Sequence, residues 1–135
     1  MTVVDASVVF TALVRGEYAG WAEGQLSAAG GGRSLYVPHL IDAEVGHALR
    51  RRVAAGKLGD DRASAALTKL TRLPLRRIVH TGLLARAWQL RDNVSFYDGL
   101  YVALAEALDA PLITLDRRLA RAAGAATRVT VLTAG

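Results

Sequence analysis

SFYDGLYVALAEALDAPLITLD, residues 95–116, decides how the chain folds. Ser95 is suited to capping a helix, because its hydroxyl can accept from an amide in the first turn. Leu100, Tyr101, Leu104, Ala105 and Leu108 then recur at helical spacing, which predicts a helix over 96–108. Residues 112–115 (LITL) form a continuous apolar run that reads as a buried strand, and Asp116 closes it. Continuous apolar strands separated by helices signal a parallel sheet covered on both faces.

The same alternation extends outward on both sides. Residues 2–5 (TVVD) read as a buried strand, followed by helices over 6–14 and 17–28 that Gly16 separates. Gly30, Gly31 and Gly32 read as a flexible turn before a short strand over 35–37 (LYV) that ends at Pro38. A helix is predicted over 40–55 from Ile41, Val45, Ala48, Leu49 and Val53, with Gly56 and Gly59 ending it. The next helix, 60–71, starts at Asp60 and Asp61, whose negative charge offsets the helix dipole. A strand over 76–79 (RRIV), a helix over 83–91, a short helix over 117–123 and a last strand over 129–132 complete the chain. The expected class is α/β: a three-layer α/β/α domain spanning 1–135 around a mainly parallel sheet.

Four acids punctuate this pattern where strands end or helices begin: Asp5, Glu44, Asp98 and Asp116. In open α/β sheets ligands bind beyond the carboxyl ends of the strands, where strand order reverses. Asp5 and Asp116 both follow strands and therefore have a reason to meet. Each has a plain structural alternative. Asp5 and Asp116 could cap the helices that follow them, and Asp98 could serve only as a first-turn charge. Glu44 is harder to explain that way, since it lies in an apolar helix start with no Lys or Arg three or four residues on. Asp42 should point to another face and be solvated. Carboxylates brought together repel unless a proton or a cation intervenes. With no cysteine in the chain, an all-oxygen group suits a hard ion such as Mg²⁺ or Mn²⁺.

Neutral and basic residues near these acids are weaker signals. Ser7 lies two residues beyond Asp5 and Thr114 two before Asp116, so both could donate hydrogen bonds that orient the acids. His47 sits one turn beyond Glu44, although a lone histidine is more often structural. Arginines cluster at 50–52, at 76–77 and at 117–118 with Arg121; a solvated face is the default reading for each. Arg117 and Arg118 directly follow Asp116 and could contact an RNA backbone.

The bulk properties are those of a folded domain. Hydrophobic residues make up 52% of the 135 and charged residues 21%, which excludes a disordered chain. The formal net charge is +5, nearly all of it carried by arginine, whose planar fork suits phosphate. The opening residues lack a basic start and are broken by Asp5 and Ser7, unlike a signal peptide. No uncharged run reaches the ~18 residues of a membrane span, so a soluble cytoplasmic protein is expected.

In the segments VVDASVV, VPHLIDAEVGHAL and SFYDGLYVALAEALDAPLITLD, the order, spacing and flanking residues of the four acids resemble the PIN-domain ribonucleases. Among these the chain looks like the VapC-type toxins of prokaryotic toxin–antitoxin pairs, over essentially its whole length. The resemblance implies a pocket of Asp5, Glu44, Asp98 and Asp116 that holds Mg²⁺ or Mn²⁺ and hydrolyses RNA through a metal-activated water. It also implies single-stranded or looped RNA as substrate and a VapB-like antitoxin that blocks the groove, while the chain's apolar excess suggests a homodimer. Exposed apolar side chains between Val8 and Leu26 are the expected partner surface. Two residues depart from the family pattern. His47 stands where many relatives carry asparagine, and Gly99 stands where alanine is usual, which should loosen the helix start.

Other functions fit less well. A phosphatase or phosphate-receiving domain also places an aspartate at a strand end. The phosphatase would need a second Asp where Ser7 stands, and the receiver a lysine later than Lys69. An RNA-processing nuclease without a toxin role, or a silent RNA- or partner-binding module, are the remaining alternatives.

Overall fold

Thr2–Val4 form β1, the middle strand of the sheet, and all three residues are buried. β2 (Leu35–Pro38) and β4 (Leu112–Ile113) flank it, with Val3 opposite both Tyr36 and Leu112. β3 (Leu75–Ile78) pairs outside β2, and β5 (Val131–Leu132) pairs outside β4. The order is β3-β2-β1-β4-β5 and every ladder is parallel. The computed structural model describes residues 1–28 and 32–134. Gly30 and Gly31 of the expected glycine turn lie outside the described residues, while Gly32 has φ +95°.

This order places the reversal point between β1 and β4. The chain builds outward from β1 through β2 to β3, then crosses back to β4 and builds outward to β5. In such a sheet the connections leaving β1 and β4 part in opposite directions and open a crevice at the strands' carboxyl ends. Asp5 follows β1 directly, and Asp116 lies three residues beyond the end of β4.

Two groups of helices complete the three layers. α1 (Ala6–Val14) packs with α2 (Ala19–Ser27), α3 (Leu40–Ala54) and α4 (Asp60–Arg72). α6 (Phe96–Leu108) lies against β1, β2, β4 and α5 (Leu84–Gln89), and a single 3₁₀ turn at Thr81–Leu83 leads into α5. α6 is buried without interruption from Gly99 to Ala105, as expected of a helix apolar on every face. α7 (Arg117–Ala126) packs beside β5. The largest fully buried side chains, among them Tyr101, Leu35, Ile41, Leu104 and Ile113, lie where α3 and α6 meet the sheet.

Several boundaries differ from the sequence reading for local reasons. α2 begins at Ala19, because Tyr18 adopts the left-handed conformation (φ 66°) that a helix interior does not admit. α7 continues three residues past Ala123 to Ala126. The Thr127 hydroxyl and amide both donate to the Ala123 carbonyl and end it there, which delays β5 to Val131. β3 begins at Leu75, which pairs with Leu35, and ends before Val79.

The surface also differs from expectation in two places. Asp42 is bound by Arg77, whose Nε and guanidinium donate to both carboxylate oxygens at 2.7 and 3.0 Å. The same arginine donates to the Leu70 carbonyl, so it ties α3 to the end of α4. Between Val8 and Leu26 the apolar side chains mostly turn inward: Val8, Val9, Ala12, Val14, Ala22 and Leu26 are core residues, and Tyr18 is the large one left exposed. Phe10, Leu13 and Trp21 are partly buried, so with Tyr18 these helices keep part of their apolar surface exposed.

Candidate active site

Asp5 is the anchor of the site. It is 5% exposed, and its backbone amide donates to the Ile113 carbonyl at 2.9 Å, continuing the β1–β4 ladder by one step. One carboxylate oxygen, Oδ2, receives the Ser7 hydroxyl at 2.6 Å and the Thr114 hydroxyl at 2.9 Å. It also caps α1 by accepting from the Ser7 amide.

The direction of each proton follows from what lies behind the hydroxyls. Ser7 Oγ accepts from the Leu115 amide at 3.0 Å, and Thr114 Oγ1 accepts from the Asp116 amide at 3.0 Å. Both hydroxyls therefore have their protons to give, and among the described residues Asp5 is the charged acceptor they reach. The network stitches the β1–α1 junction to the β4–α7 junction.

The other three acids come from separate elements. Glu44, on α3, accepts from the Tyr101 hydroxyl through Oε1 at 2.7 Å. Asp98 sits in the first turn of α6, where Ser95 caps the helix by accepting from the Asp98 amide at 3.1 Å. Asp116 caps α7, accepting the Arg118 and Leu119 amides through Oδ1 at 2.9 and 3.1 Å.

Electrostatics tie these positions together. Burial raises the Asp5 pKa above the usual carboxylate range, partly opposed by the Ser7 and Thr114 hydrogen bonds. Glu44 is pushed up to about 7, mainly by burial, with Asp5 and Asp98 raising it further against the Tyr101 hydrogen bond. Asp98 is pushed up to about 6, again mainly by burial, then by Asp5 and Asp116, with Ser95 and Arg118 acting the other way. Tyr101 is raised in turn, by burial and then by Glu44 beside it, so it is a neutral donor. Asp5 and Asp98 act on Glu44, and Asp5 and Asp116 act on Asp98, so the four carboxylates are linked electrostatically.

That coupling makes stability pH-dependent. The folded pKa of Glu44 lies above its unfolded value, so the folded chain holds the proton more tightly between roughly pH 4 and 7. Stability from this group is complete at low pH and is lost as pH rises through about 7. Glu44→Gln should raise the melting temperature of the metal-free chain at pH 8 by a few degrees and change it little at pH 5. A lower melting temperature than wild type at pH 8 would contradict this assignment.

The donor set is suited to a hard divalent ion: oxygen only, negatively charged, and destabilised by its own repulsion. Among the described residues, however, no three histidine, aspartate or glutamate side chains stand close enough to hold an ion as they are placed. Repulsion between uncompensated carboxylates favours rotamers that point apart. The elements bring the four acids within electrostatic reach, and ligation would then require side-chain rotation.

The remaining expected residues separate clearly. His47 is exposed and makes no hydrogen bond or ion pair among the described residues, so nothing ties it to the acids. Arg118 faces Asp98 and Asp116 across a cleft of ≈ 700 Å³, which Arg91 and Arg121 also line. Arg117 is exposed on the first turn of α7. Gly99 also has a packing role. A Cβ there would stand 3.2 Å from the Cα, Cβ and carbonyl oxygen of Ala87, so glycine lets α5 lie directly on α6. Sequence reasoning missed Tyr101, taken for a purely apolar helix residue; its position one turn after Asp98 was the available signal. A cleft of ≈ 750 Å³ at the amino ends of β4 and β5, around the Arg86–Glu106 ion pair, contains none of the four acids.

Residues 2–125 match the PIN domain family. Ribonuclease VapC1 of Mycobacterium tuberculosis is 49% identical over 124 residues, covering 90% of each chain. Ribonuclease VapC9 of the same organism is 39% identical over 132 residues, covering 98% of each. Among solved structures, PAE2754 from Pyrobaculum aerophilum aligns with TM-score 0.66 and 25% identity over 96% of this chain and 81% of that one. VapBC2 from Rickettsia felis, solved with a promoter DNA fragment, aligns with TM-score 0.69 over 98% of this chain and 97% of that one; at 12% identity it speaks to the fold alone.

Proposed function

Because this chain belongs to the PIN-domain family, we propose that it is a metal-dependent ribonuclease acting as the toxin of a toxin–antitoxin pair. The observation that carries the reading is the acid group at the β1–β4 reversal point, centred on a buried aspartate that Ser7 and Thr114 hold in place. Similarity to ribonucleases at 39–49% identity over most of the chain supports the same reading.

Asp5, Glu44, Asp98 and Asp116 would hold the ion. Bound Mg²⁺ or Mn²⁺ would supply charge neutralisation at the phosphoryl oxygens and lower the pKa of water. Asp5 has the least freedom, so it sets the position around which the more exposed acids adjust. Tyr101 fixes Glu44 through Oε1, which leaves Oε2 to orient an attacking water or take its proton. Burial holds that carboxyl near neutrality, the range in which a proton acceptor works best. Arg118, beside Asp98, offers a guanidinium to the substrate backbone.

RNA with exposed backbone is the proposed substrate, since single strands and loops can turn unstacked bases into a cleft, whereas a paired A-form helix keeps its bases stacked. An antitoxin covering the groove and self-association into a homodimer belong to the same proposal. So does a cytoplasmic setting; no helix among the described residues is long and apolar enough to cross a membrane.

Labelled single-stranded RNA incubated with the purified chain tests the central part. Cutting is expected with Mg²⁺ or Mn²⁺, with loss in chelator and recovery when the ion is returned in excess. Cutting at full rate in chelator would overturn the metal-dependent reading.

A further inference from the structure

Three exposed aromatic side chains lie on the segment that leads into Asp98. Trp88 and Tyr97 are each 59% exposed, and Phe96 is 38% exposed. The Arg91 guanidinium lies over the Trp88 ring, 4.4 Å from its centroid, and Arg91 Nη1 donates to the Trp88 carbonyl at 2.9 Å. A cationic plane is thereby held against an indole that faces solvent. Arg91 also lines the cleft that contains Asp98 and Asp116, together with Arg118 and Arg121. The close contact of Ala87 with Gly99 ties these parts together: Trp88 and Asp98 are each one residue from the point where α5 meets α6 without a side chain between them.

An exposed tryptophan stacked by arginine beside a phosphodiester-cutting site has the chemistry of a base-binding surface. Every base offers a π-face, and aromatic stacking with arginine contacts binds single strands without reading sequence. We propose that Trp88 and Arg91 form a stacking platform for an unstacked base flanking the scissile phosphate, with Arg118 and Arg121 taking the adjoining backbone. The inference rests on the nuclease reading above. Charge favours RNA over a second copy of the chain: three guanidiniums line the cleft, Asp92 being the one acid there outside the catalytic group, and a second copy brings another formal +5.

Two measurements test the platform. Trp21→Phe leaves Trp88 as the sole tryptophan, so its fluorescence reports on that position alone. In this background with Asp98→Asn, a short single-stranded RNA should quench Trp88, and the same ribose-phosphate chain without bases should not. Kinetically, Trp88→Ala should raise KM for a short RNA by about 5- to 100-fold, with kcat within about twofold and the melting temperature unchanged. Trp88→Phe should recover part of the loss.

Absence of quenching, or an unchanged KM in Trp88→Ala, would overturn the platform. So would conversion of a dimer to a monomer by Trp88→Ala with KM unchanged, which would make the patch a self-association face. If wild type cuts RNA and quenching is missing, the platform falls and the nuclease reading stands. If quenching occurs and no RNA is cut with any divalent ion, the reverse holds.

Discussion

Asp5→Asn should abolish RNA cutting, by on the order of a thousandfold or more, while the protein stays folded. Loss of contacts that merely support a metal ligand lowers affinity or activity by about 10–100-fold, and loss of the anchoring ligand should exceed that. The asparagine oxygen can still accept the Ser7 and Thr114 hydroxyls, so the stitch between the β1–α1 and β4–α7 junctions survives. What disappears is the charge. In the metal-free chain that charge is destabilising, because burial raises the Asp5 pKa above its unfolded value. Stability tied to this proton is present at low pH and lost as pH rises, and asparagine removes the loss. The variant should therefore melt no lower than wild type at pH 8 without metal, and the added stability that Mg²⁺ gives wild type should be absent from it. Residual cutting within tenfold of wild type, in protein of normal melting temperature, would contradict the assignment.

Ile113→Ala should show the opposite pattern. Ile113 is fully buried, pairs with Val4 and Leu132, and its carbonyl accepts from the Asp5 amide. Truncating such a side chain removes buried methyl groups and leaves a cavity, at about 2–5 kcal/mol. For a chain of this size that is a fall in melting temperature on the order of 10–20 °C. The backbone bond to Asp5 does not depend on the side chain, so the folded fraction should still cut RNA at a rate close to wild type well below the transition. Calorimetry alongside single-turnover cutting separates the two effects. A fall in rate as large as that of Asp5→Asn, at temperatures where the variant is folded, would mean that the site depends on core packing more than on charge.

The parts of the molecule legible from the sequence are those whose signals are local. α6 runs from Phe96 to Leu108 as periodicity and the Ser95 cap indicate, because the cap and the apolar face lie within one continuous stretch. The parallel sheet was legible in kind, since strands buried on both faces leave continuous apolar runs. Their edges were not. β4 and β5 are two residues each, and pairing with a distant partner decides their limits.

Long-range polar partners were likewise hidden. Arg77 and Asp42 are 35 residues apart, and Tyr101 and Glu44 are 57 apart. Nothing in the local pattern distinguishes a tyrosine that packs from one that packs and donates. Ser7 and Thr114 stood out because each lies two residues from an acid at a strand end; their shared hold on Asp5 required the fold. The packing role of Gly99 was hidden for a related reason. Propensity alone judges a glycine by its own helix, whereas here the neighbouring helix sets the requirement.

The most direct measurement is the position of Mn²⁺ in crystals of the wild-type chain, located by anomalous diffraction. The acid group at the β1–β4 reversal point predicts a peak about 2.0–2.3 Å from a carboxylate oxygen of Asp5 and of at least one of Glu44, Asp98 and Asp116. It also predicts the loss of that peak in Asp5→Asn. A peak that avoids Asp5, or one that persists at the same place in the variant, would contradict the account.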